Sequence, residues 1–150
     1  MKRAVARPPV DPPPGAALSV RRYTVPFFDT DAMGIVHHAN YVRYLELARV
    51  TLLGEHDVPY ETYLEWDRHF AVTRCEVHYM KPARFADEIE IVSWVTRVGG
   101  ASLEIGYRLE CRGELLALAE TEHAMVDGDG KPRRIPRERR ESLASLVGSL

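Results

Sequence analysis

The sequence predicts an α+β domain in which one antiparallel sheet curls around a single long helix. Three observations carry that expectation. One helical segment is apolar over most of its circumference, four strand-length segments follow it, and short turns join the last three of these. A helix with so little polar surface has to be covered by other structure, and a sheet curled around it does that. With 150 residues and a formal net charge of −2, the chain has the size of one domain with one sizeable core. It lacks the basic excess that nucleic acid or an anionic membrane surface attracts.

Residues 1–18, "MKRAVARPPVDPPPGAAL", are basic and then proline-rich. They lack the apolar stretch of a signal peptide, and the prolines would break an amphipathic targeting helix. They are expected to form a disordered tail with polyproline character, preceding a single domain over 19–150. Without an export signal, the expected location is cytoplasmic. Residues 19–28 alternate as a strand, with Pro26 suited to an edge or an irregular end. From about Asn40, the residues Tyr41, Tyr44, Leu45, Ala48 and Leu52 fall on one helical stripe. Val42, Leu47, Val50 and Leu53 widen it, and Gly54 is the expected stop.

Residues 55–69 read as a connection containing Pro59, Tyr60, Tyr63 and Trp66. Strands are expected over about 70–80, 87–98, 101–112 and 115–126, neighbours in an antiparallel meander, with turns at "VGGAS" and "CRGEL". Pro136 opens a terminal helix whose stripe is Leu143, Leu146, Val147 and Leu150. Arg137–Arg140 are placed on its outer face. No apolar run reaches the roughly 18–20 residues of a membrane span. Cys75 and Cys111, the two cysteines, lie in strand-like segments and are expected to be buried, reduced thiols.

The stretch "FFDTDAMGIVHHANYVRYLELARV" places Asp29, Asp31, Gly34, His37 and His38 directly before the long helix. A carboxylate can act as general base or nucleophile. Unpaired amides at a helix start, on the positive end of its dipole, can hold an oxyanion. Asp31 precedes the helix by about 7–9 residues, which brings both around one atom, and Gly34 lets backbone approach a ligand. Asp29 is expected to pin the loop. His37 is assigned to surface, packing or substrate contact, His38 to orienting water or substrate or to capping, and Asn40 to the N-cap. Asp31 with His37 and His38 lacks a clear third ligand, so no metal is expected.

These residues resemble the signature of the hotdog-fold acyl-CoA thioesterases of the 4-hydroxybenzoyl-CoA thioesterase type, and within it the tol-pal-associated branch. "VHYMKPARFADEIEI", from Val77 to Ile91, resembles a second recurrent segment of that family. The resemblance covers roughly residues 20–136. It implies a sheet wrapped around the central helix, in dimers whose sheets join edge to edge, or in tetramers, with active sites at subunit interfaces. It implies a catalytic Asp31, a functional His38, and a backbone amide near His38 that polarises the substrate carbonyl.

It further implies hydrolysis of an acyl-CoA thioester with no cofactor, coenzyme A being part of the substrate. Acyl carrier protein is the other donor to weigh. Gly34, His37, Asn40 and Tyr41 are then substrate-side candidates. Lys81, Arg84, Lys131, Arg133 and Arg134 are candidates for the phosphates, or are solvated surface charge. Tyr60, Tyr63 and Trp66 line the acyl pocket or belong to the core. The rivals are a hotdog enoyl hydratase or dehydratase, whose Asn-Pro-x-His string is absent from this sequence, and a non-enzymatic acyl-binding dimer.

Overall fold

A computed structural model describes residues 7–149, and Leu150 of the expected terminal stripe lies outside the described residues. The chain runs β1 (Ser19–Thr24), α1 (Asn40–His56), α2 (Tyr60–Glu65), β2 (His69–Tyr79), β3 (Glu88–Val98), β4 (Ser102–Cys111), β5 (Glu114–Val126) and α3 (Arg137–Ala144). The strands form one antiparallel sheet in the order β1-β3-β4-β5-β2. Only β3, β4 and β5 make the expected meander. β2 crosses to the far side of β5, pairing Glu76 with Glu120 and Tyr79 with Ala117. A short turn fixes which strands are neighbours, whereas β2 leaves through the longer 80–87 connection and is free to cross.

The helix α1 lays Tyr41, Tyr44, Leu45, Ala48, Leu52 and Leu53 against the sheet, where Ile89, Ile91, Leu103, Ile105, Tyr107 and Leu109 meet them. Each such side chain contributes about 1.5–3 kcal/mol when fully buried. That gain outweighs the roughly 1 kcal/mol by which glycine disfavours a helix, so α1 runs through Gly54 to His56. Val42 and Val50, expected to widen the buried stripe, are exposed in the single chain. β1 stops at Thr24, because Pro26 starts a 3₁₀ turn over Phe27–Asp29. The expected connection 55–69 contains the short helix α2, whose Tyr63 is wholly buried and donates its hydroxyl to Asp57. Arg139 of α3 clamps the other oxygen of the same carboxylate at 2.8 Å.

One expectation about the periphery is corrected. Cys111 is buried, but Cys75 is exposed, because β2 is an edge strand. Residues 1–6 of the expected disordered tail lie outside the described residues, while 7–18 are largely exposed and touch the domain at a few points. Pro8 is buried, Asp11 meets Arg108 of β4 at 2.6 Å, and the Ala17 N–H donates to Leu146 O at 3.0 Å. The prolines that exclude a helix leave an extended strap suited to lying on other structure. Trp94 packs flat on Gly106 of the neighbouring strand, where a Cβ would come within 2.9 Å of the indole. Among the described residues, no helix is long and apolar enough to cross a membrane.

Candidate active site

The residues that connect β1 to α1 fold back on themselves. Asp31 N–H donates to Ile35 O at 2.8 Å and His37 N–H to Asp29 O at 2.9 Å, closing a small hairpin. At its tip the Gly34 N–H donates to Asp31 O, and Asp31 Oδ1 accepts the Met33 N–H at 2.8 Å. Gly34 has φ +76 with nothing near its missing Cβ. The left-handed backbone conformation favours glycine there. The hairpin is fastened to the connection after β2 by Val36 N–H donating to Ala83 O at 2.8 Å.

The two aspartates have different surroundings. Asp29 is 1% exposed. Its carboxylate accepts the hydroxyls of Tyr44 at 2.7 Å and Tyr23 at 3.1 Å and a guanidinium N–H of Arg43 at 3.2 Å. Its backbone oxygen accepts the Asn40 side-chain amide at 2.9 Å. Burial, and then the bond to this carboxylate, push the Tyr44 hydroxyl strongly up, so it stays a donor. Asp29 is thus the anchor of the loop. Asp31 is half-buried, with Oδ1 held by Met33; among the described residues its Oδ2 has no protein partner. One oxygen fixes the group, and the other is left without a protein partner among the described residues.

The start of α1 carries no side-chain cap. Asn40, expected as the N-cap, is the first helical residue and ties Asp29 and Arg43 instead. His37 Nδ1 accepts the Ala39 N–H at 3.1 Å, and the ring stacks on His38 with centroids 4.2 Å apart. His38 N–H has no acceptor among the described residues, while His38 O accepts the Tyr79 hydroxyl at 2.9 Å. A free amide at the positive end of a 17-residue helix is a suitable anion donor.

Asp31 and His38 line one cleft of about 430 Å³ together with Tyr41, Tyr79, Lys81 and the apolar Met33, Ile35, Val36, Met80 and Pro82. Tyr41 is buried as its floor, with the hydroxyl accepting the Ala83 N–H at 3.3 Å and pushed up by burial. Lys81 stands at the rim, paired with Glu114 at 3.1 Å.

The other sequence candidates lie elsewhere. Gly34, His37 and Asn40 shape the loop and the helix start, but they do not line the cleft. Arg84 borders a neighbouring groove of about 450 Å³ with Arg112 and Asp87. Arg133 is bound to Asp127 at 2.9 Å, beside a turn that the same carboxylate ties to Lys131 and Asp129. Burial of Tyr63 in the core, and bonding of the Tyr60 hydroxyl to Phe70 N–H, remove both from the cleft, as they do not border it; nor does Trp66. Among the described residues, no three His, Cys, Asp or Glu side chains are grouped to hold a metal ion. Tyr79 and Met80 were absent from the sequence candidates. Their signal was the aromatic at the end of the "VHYM" strand, 41 residues from His38.

Comparison with known proteins supplies the frame for this geometry. Residues 25–143 match the family described as a thioesterase-like superfamily. The chain is 36% identical over 112 residues to the acyl-CoA thioester hydrolase YbgC of Escherichia coli O6:H1, covering 73% of this chain and 83% of that protein. It is 32% identical over 124 residues to a putative esterase of Aquifex aeolicus, covering 83% and 96%. A solved structure of a hypothetical protein from Thermus thermophilus superposes with a TM-score of 0.84 at 32% identity, over 89% of this chain and all of the other.

Proposed function

The chain belongs to the thioesterase-like superfamily, and on that premise we propose that it hydrolyses acyl-CoA thioesters to the free acid and coenzyme A. The observation that supports this reading is that Asp31, with its Oδ2 unpartnered among the described residues, and His38, with its N–H likewise unpartnered, line one largely apolar cleft. A thioester carbonyl is electrophilic and its thiolate leaves readily, so a carboxylate and an oxyanion donor suffice. Asp31 takes the proton of an attacking water or attacks the acyl carbon itself. In either course the carbonyl oxygen gains negative charge and is held by the His38 N–H. Collapse of the tetrahedral species re-forms the carbonyl and expels the coenzyme A thiolate. In the base course the proton that Asp31 took passes to the thiolate. In the nucleophilic course a water then hydrolyses the acyl–Asp31 anhydride, releasing the acid and restoring the carboxylate. Met33, Ile35, Val36 and Met80 give the acyl chain an apolar wall.

Asp31→Asn tests the assignment. The amide oxygen can still accept the Met33 N–H, so the turn is retained, but an amide is neither base nor nucleophile. Turnover of an acyl-CoA panel, read by free thiol release, is expected to fall by about 10²–10⁴ with melting unchanged. Near-wild-type turnover would remove Asp31 from the reaction. Release from an acyl carrier protein thioester but from no acyl-CoA would keep the chemistry and replace the carrier.

A further inference from the structure

We infer that Tyr79 is a positioning residue for the oxyanion donor, acting through the backbone of His38; the inference rests on the thioesterase reading above. Tyr79 ends β2, on the opposite wall of the cleft from the start of α1. Its hydroxyl donates to His38 O at 2.9 Å, and its ring meets Tyr41 edge to face at 4.9 Å between centroids. Burial pushes the Tyr79 hydroxyl up, which keeps it a donor.

The bonds around His38 fall into two kinds. Asn40 N–H to His37 O at 2.9 Å, Tyr41 N–H to His38 O at 3.3 Å and Ala39 N–H to His37 Nδ1 at 3.1 Å all span two or three residues. They shape the turn, yet they would move with it if it shifted as a unit. The Tyr79 bond spans 41 residues and, among the described residues, is the one that reaches residues 38 and 39 from another element. No side-chain cap replaces it, since Ala39 occupies the N-cap. Asp29 O ties the flanking His37 N–H and Asn40 side chain to the hairpin at 2.9 Å each. Tyr79 adds the tie from the opposite wall, on the carbonyl of the residue that carries the donor amide. It so steadies where His38 stands relative to Asp31, which the Met33 bond holds on the hairpin side. Oxyanion stabilisation depends on donor placement to a few tenths of an ångström, so loosening this tie acts on the transition state more than on substrate binding.

The test is Tyr79→Phe, which keeps the ring on Tyr41 and removes the hydroxyl. Loss of a whole oxyanion donor lowers kcat by about 10²–10³; a donor that is present but less well placed is expected to lower it about tenfold, with KM within about twofold. The second readout is the His38 carbonyl-carbon chemical shift. It is expected to move upfield on loss of the hydrogen bond while shifts remote from residues 37–41 stay in place. Wild-type kcat, or an unmoved His38 carbonyl shift, would overturn the inference. So would a fall in kcat accompanied by lower melting and widespread shift changes, which marks a fold contribution only. If Asp31→Asn retains full turnover, the thioesterase site itself is misassigned, and the carbonyl shift still decides whether Tyr79 holds His38.

Discussion

Asp29→Asn separates the two aspartates of the motif, and its magnitude follows from the contacts. The Asp29 carboxylate is 1% exposed and accepts three hydrogen bonds. Arg43 has a side chain 58% exposed, so its ion pair is solvent-screened and counts for little. The two tyrosine bonds carry the effect. A hydrogen bond to a charged group contributes about 1.5–3 kcal/mol and a neutral one about 1, so each loses about 1 kcal/mol. The new amide also turns an N–H₂ donor toward hydroxyls that are themselves donors. The expected loss is about 2 kcal/mol, or about 4–8 °C in Tm for a chain of this size. Asp29→Ala leaves both hydroxyls unpartnered and is expected to cost about 3–5 kcal/mol. The assay is thermal and urea unfolding beside kcat per folded molecule, measured well below the melting range. Unchanged melting with a hundredfold loss of kcat would refute the reasoning and make Asp29 the reacting carboxylate.

Two further outcomes follow from the fold. His123 is buried beside Thr121, and burial lowers its pKa from 6.5 to about 3. Below pH 6.5 the unfolded chain binds a proton that the folded chain refuses, so stability falls by about 1.4 kcal/mol per pH unit down to about pH 3; unfolding between pH 7 and 5 is expected to lose about 2 kcal/mol in wild type and to flatten in His123→Leu, and an equal slope in both would contradict it. The open edge of β2 and the exposed Val42 and Val50 of α1 lead us to expect dimers or tetramers by light scattering at low micromolar concentration, and a fully active monomer on dilution would contradict this.

The elements most legible in the sequence were those fixed by local periodicity. Alternation located the strands to within a few residues, and the Tyr41–Leu52 stripe located the buried face of α1. What escaped was decided by partners distant along the chain. Nothing local tells that β2 pairs with β5, since a one-sided alternation suits either neighbour. Arg133 reads as a free cation until Asp127 is seen against it. His37 and Asn40 stand beside Asp31 in sequence, yet His37 Nδ1 is taken up by the turn and the Asn40 amide by Asp29 and Arg43. Asp31 and His38 were legible as a pair because a hairpin and a helix start are local structures, and both reach the cleft. Tyr79 was not, because its partner lies across the sheet.

The helix start shows how stability and chemistry compete within this motif. A serine, threonine or aspartate at the N-cap would strengthen α1 by about 1 kcal/mol by accepting from the amides of its first turn. Ala39 at that position forgoes the gain. In the proposed reaction, an aspartate there would also set a second negative charge beside the developing oxyanion, opposing the helix dipole that favours it. The burial of six α1 side chains supplies helix stability from the other end of the problem, through the core. The Asp29 network then holds the loop without using the His38 N–H. Two carboxylates two residues apart thus differ in their surroundings: one has both oxygens bonded to the fold, and the other, among the described residues, keeps one oxygen free beside a helix with no side-chain cap.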